Sequence, residues 1–162
     1  MKESLSEAFE ELKRADHLIY VSLKYTRTVD VIKSIIERLI NAYDDAITSL
    51  LDKAKEEGKI ELYSKNAGIK CTEVKEIYPE NSDIQSHMDF YLLLRKIIRS
   101  DYKKIEEYRR HVAMIATLDS ATTISIDIDR VKEYYDRTDA FVKMVSEMCG
   151  GLEPATYYDD YF

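Results

Sequence analysis

An all-α protein, an up-and-down bundle of four or five helices, is the fold class that this sequence predicts, and three observations carry the prediction. Neither glycine nor proline occurs over residues 1–57 or 80–149, and inside a helix these residues cost about 1 and about 3 kcal/mol relative to alanine. Within those tracts apolar residues recur at intervals of three and four, which places them on one helical face. The chain has 162 residues, 45% hydrophobic and 34% charged, enough to close one core without metals or disulfides.

The first helix opens at Ser4, three residues before Glu7 as in a capping box. Leu5, Ala8, Phe9, Leu12, Ala15 and Ile19 then share a face up to an end near Tyr25. Thr28 is the expected cap of a second helix over 29–57, with Asp30 in its first turn and Gly58 as its stop. This helix combines Val29, Ile32, Ile36, Leu39, Tyr43 and Leu50 with Ile35, Ile40, Ile47 and Leu51. So wide a band implies contact on more than one side, with several helices of the chain or with a second subunit, and a homodimer is the expectation drawn from it.

Residues 59–86, with Gly68 and Pro79, read as a surface connection containing one brief helix at most. A third long helix is predicted from 82 or 86 to 115, with Tyr91, Leu94, Ile98, Tyr102, Ile105 and Val112 inward. Polar and apolar residues alternate over 122–128, which predicts a lone extended piece. Asp129 then caps a last helix running to Met148, stopped by Gly150 and Gly151. Residues 1–149 form one expected domain, and 150–162 a flexible acidic and aromatic tail suited to recruiting a partner protein.

Composition limits the function classes. No apolar run approaches the roughly 20 residues of a membrane span, and the polar amino terminus lacks a secretory pattern, so a cytoplasmic protein is expected. Cys71 and Cys149 belong to no CxxC pair and read as free thiols. A net charge of −7 opposes indiscriminate adhesion to nucleic acid. One glutamine and three asparagines, beside abundant Lys, Glu, Ile and Tyr, point to a thermophilic archaeal source.

No Glu-x-x-His pair accompanies His17, His87 or His111, and no glycine-rich phosphate loop occurs, so neither metal nor cofactor is predicted. At about 100° per residue, Arg95, Arg99, Lys103 and Arg110 of the third helix would lie within an arc of roughly 80°, with Arg109 at its edge. Such a stripe can neutralise successive phosphates of RNA, or be a solvated face paired with acidic neighbours. The thirteen tyrosines read mainly as core and boundary residues.

The stretches RADHLIYVSLKY (14–25), DFYLLLR (89–95) and TISIDIDRVK (123–132) resemble archaeal members of the HEPN-like helical family. That resemblance implies a bundle of four or five helices, often homodimeric. Some members are metal-independent ribonucleases, and others partner nucleotidyltransferases or have lost activity. Active members carry an arginine followed by a histidine after four to six intervening residues, and no arginine stands so before the three histidines here. Lys104, with six residues intervening before His111, is the nearest approach, and lysine lacks the planar fork of arginine. The resemblance therefore implies a non-catalytic module for protein interaction and RNA association. The alternatives are a ribonuclease centred on Lys104 and His111, in which His111 serves as general acid or base, and a pure scaffold.

Overall fold

The architecture is organised by one central helix. The computed structural model describes residues 2–150. Helix α1 (Lys2–His17) continues through a π-helical stretch (Leu18–Ser22) and a last α-turn (Leu23–Tyr25). Helix α2 (Val29–Glu56) follows, then α3 (Ala67–Ile77), α4 (Ser82–Arg99), strands β1 (Asp101–Ile105), β2 (Ala113–Thr117) and β3 (Thr123–Asp127), and α5 (Ile128–Met148).

Helix α2 starts as its sequence predicts, with the Thr28 hydroxyl accepting from the Val31 N–H. Helices α1, α4 and α5 pack around it, and α3 bridges α2 and α4. Ile35, Ile36, Leu39, Ile47, Leu50 and Leu51 are all buried within the one chain. Full burial of each such side chain contributes about 1.5–3 kcal/mol. The broad band thus meets several helices of its own chain and leaves no face of those residues for a second subunit.

The all-α expectation is overturned by a three-stranded antiparallel sheet of order β1-β2-β3. The third long helix stops at Arg99, where Ser100 turns extended and its hydroxyl donates to the Ile97 carbonyl. Residues 101–115, read from sequence as helix, instead supply β1 and most of β2. The extended piece near 122–128 is not solitary: as β3 it pairs with β2, Met114 opposite Ile126 and Ala116 opposite Ile124. Those four residues and Tyr102 turn one face of the sheet to the core, where it meets α2 and α5. Lys103, opposite Ile115, lies on the other face.

Three local expectations also change. Ser4 lies inside α1, which begins earlier. The cap of α5 is Asp127, accepting from the Arg130 N–H, and Asp129 sits in the first turn. Helix α3 spans eleven residues, capped by Asn66. The predicted tail lies, apart from Gly150, outside the described residues.

No helix among the described residues is long and apolar enough to cross a membrane, and among them no three His, Cys, Asp or Glu side chains are grouped so as to hold a metal.

Candidate nucleic-acid interface

Three connections converge at one pole of the molecule: the α1–α2 corner, the β1–β2 turn, and the junction of β3 with α5. The turn is anchored to the corner twice. The Tyr108 N–H donates to the Arg27 carbonyl at 2.6 Å. The Val29 N–H, an orphan donor at the start of α2, donates to Glu107 Oε2 at 2.9 Å, a position where the helix dipole also favours a carboxylate.

These anchors hold an unusual backbone. Glu106 (φ 49°) and Tyr108 (φ 66°) adopt left-handed conformations, which cost bulky L-residues energy and persist where the surroundings over-determine them. Tyr108 projects into solvent, 76% exposed, and Tyr25 of the corner is 79% exposed.

Between the three connections lies a cleft of about 390 Å³ lined by Arg27, Arg110, His111, Asp127, Ile128 and Asp129. Arg27 and Ile128 also border an adjoining hollow of about 170 Å³, which continues past Tyr20, Lys24 and Lys132. The π-helical stretch supplies Ile19 and Tyr20 to that hollow, and such stretches recur at functional sites. Arg27 Nε is buried and has no hydrogen-bond partner among the described residues. A buried donor left unmet is uncommon and calls for an acceptor. Two rim groups carry cations: Lys132 lies 5.5 Å from the Tyr20 ring centre and Lys24 5.9 Å from that of Tyr25.

The predicted basic set is dispersed by the sheet. Arg95 and Arg99 belong to α4, and the strand pairing of Asp101 with Thr117 puts them at the end of the hairpin remote from its turn. Arg95 donates to the Tyr91 hydroxyl at 3.3 Å, and Arg99 Nε to the Arg95 carbonyl at 3.2 Å. Lys103 is exposed in β1. Of the four, Arg110 lies in the cleft. Lys104 and His111, paired by sequence spacing, part company: Lys104 bonds Asp30 at 3.3 Å, whereas His111 lines the cleft with two arginines. Sequence reading missed Arg27, Lys24, Lys132 and the exposed tyrosines. The dipeptide Lys24-Tyr25 and Arg27 lie together at a predicted helix break, the signal that would have found them.

Two other polar concentrations have different characters. A second cleft between α1 and α2 is lined by Lys13, Arg14, His17 and Arg38 beside Glu10, but Glu11 takes both Arg14, at 2.9 Å, and Arg38, at 3.2 Å. In the core, the Tyr43 hydroxyl lies 2.8 Å from His87 Nδ1, and the Tyr43 ring stacks on Phe141 at 4.9 Å. Nearby, the Tyr91 hydroxyl donates to Asp44. Burial, helped by Arg137, lowers His87 to about 4, and burial pushes the Cys71 thiol up to about 11. This network ties α2 to α4 and α5, and burial favours the neutral imidazole of His87 and the protonated thiol of Cys71 on α3.

No protein-family model, curated protein or solved structure matches the chain.

Proposed function

We propose that the protein is a non-catalytic RNA-associating module that grips phosphates at this pole. The observation that carries the reading is the meeting of Arg27, Arg110 and His111 on one concave surface, with Arg27 Nε a buried donor lacking a partner. A guanidinium offers a phosphate two parallel hydrogen bonds in a fixed fork, and it stays charged at any physiological pH. Asp127, the cap of α5, and Asp129 place two carboxylates in the wall, and Lys24 and Lys132 of the adjoining hollow tip the balance towards an anion. The HEPN-like resemblance supports an RNA role for the helical part, with the sheet as an addition between α4 and α5. A nucleotidyltransferase partner and a homodimer rest on that resemblance alone.

Gel-shift titration of a mixed-sequence RNA tests the proposal. Arg27→Ala with Arg110→Ala should weaken binding strongly, while Arg95→Ala with Arg99→Ala, at the far end of the hairpin, should leave it near wild type. Equal losses from both pairs, or no binding at low salt, would refute the assignment.

One observation favours a second reading, RNA cleavage. His111 shares the cleft with two arginines in place of Lys104, a composition in which the imidazole moves a proton and the guanidinium groups steady the phosphate. Cleavage that persists unchanged in His111→Ala would dismiss it.

A further inference from the structure

We infer that the RNA this pole takes is single-stranded, with its bases stacked on Tyr25 and Tyr108 while Arg27 and Arg110 hold the adjoining phosphates. The inference deepens the RNA reading and rests on it, but it comes from a separate observation. Tyr25 and Tyr108 expose 79% and 76% of their surface, although aromatic rings ordinarily bury most of theirs. Tyr108 does so from a left-handed backbone that its hydrogen bond to the Arg27 carbonyl holds in place. Tyr20, 55% exposed, adds a third ring on the adjoining hollow.

A duplex buries its base faces in its own stack, so exposed rings gain little from it. A single strand presents every base face, and stacking on aromatic rings is tolerant of sequence. The cations lie where such a ligand needs them. Lys24 and Lys132 sit beside the Tyr25 and Tyr20 rings, within reach of the phosphate that follows a stacked base. The two aspartates of the cleft, Asp127 and Asp129, lie on the wall formed by the start of α5, across from the tyrosine-bearing corner and turn. A ligand of alternating flat bases and single phosphates fits this alternation of rings and cations.

Fluorescence anisotropy at one fixed salt concentration decides it, using a short labelled RNA alone and annealed to its complement. The single strand should bind at least tenfold more tightly than the duplex. Tyr25→Ala and Tyr108→Asn, the latter suited to a left-handed backbone, should each weaken single-strand binding roughly fivefold to hundredfold. Tyr25→Phe and Tyr108→Phe should restore it, because they keep the ring. Equal affinity for both forms with all four variants unchanged would overturn the single-strand inference and leave the RNA reading intact. Binding of neither form would remove the RNA reading itself, leaving the tyrosine face to a protein partner.

Discussion

Replacing Glu107 by alanine should loosen the pole before it affects the core. Glu107 Oε2 accepts the Val29 N–H at 2.9 Å, at the first residue of a 28-residue helix. A hydrogen bond to a charged group contributes about 1.5–3 kcal/mol, and the helix dipole adds about 0.3–1 kcal/mol for a carboxylate there. Thr28 survives as a second cap, bonded to the Val31 N–H at 3.3 Å, and although Val29 itself is buried, cutting back the half-buried Glu107 side chain opens a path for water to the freed donor. We therefore expect a net loss of about 1–2 kcal/mol, within the range of lost helix caps. For a chain of this size that is a fall in Tm of about 2–8 °C. Urea denaturation should move to a lower midpoint at unchanged slope, the mark of lost stability without a changed unfolded state. Glu107→Gln keeps a carbonyl acceptor and should recover roughly half. A Glu107→Ala protein melting within about half a degree of wild type would contradict the account, since the turn would then be held by something else.

Other consequences can be checked with the same material. Tyr43→Phe removes the partner of His87 Nδ1 and should cost about 1–2 kcal/mol by urea denaturation, as a half-buried polar group is left unmet. Stability should also depend on pH through His87, whose folded ring binds its proton near 4 instead of near 6.5. The unfolded chain takes up more protons in that interval, so stability falls as pH drops through it and levels off below. Asp45 works against this trend. Burial, with repulsion from Glu11 and Asp44, raises its carboxyl to about 6, so the folded state gains stability as pH falls from there towards 3.8. The two nearly offset each other between about pH 4 and 6, so His87→Gln should turn a nearly flat profile into one in which stability rises as pH falls, and an unchanged profile would exclude the His87 contribution. Light scattering on a sizing column should give the monomer mass of 18.9 kDa, because the band on α2 is covered within the chain; a dimer would have to use another surface.

The helices were legible because their signals are local. Thr28 and the apolar spacing after it set the start and face of α2, and Gly58, at φ 76°, marks its end. The sheet was not legible, for a reason that lies in its turn. A hairpin normally announces itself with Gly, Asn or Asp at left-handed positions, but here Glu106 and Tyr108 occupy them, held by bonds to Arg27 and Val29 that are remote in sequence. Tyr102, Ile105 and Val112 share a helical spacing, whereas β1 turns Tyr102 to the core and leaves Ile105 exposed, so apolar periodicity pointed to a helix. The same error scattered the basic stripe. An arc calculated for one helix has no meaning once Arg99 ends it and Lys103 and Arg110 follow in a strand and a turn. His111 and Arg110 were marked from sequence, but their neighbour Arg27 reaches them through tertiary packing that spacing does not encode.

The salt dependence of single-stranded RNA binding tests the central claim most directly. If Lys24, Arg27, Arg110 and Lys132 each neutralise a phosphate, the plot of log affinity against log salt should have a slope of about −3, at about −0.7 per contact. Arg27→Ala with Arg110→Ala should halve it to about −1.5. A slope near zero, or one that the double substitution leaves unchanged, would contradict the account.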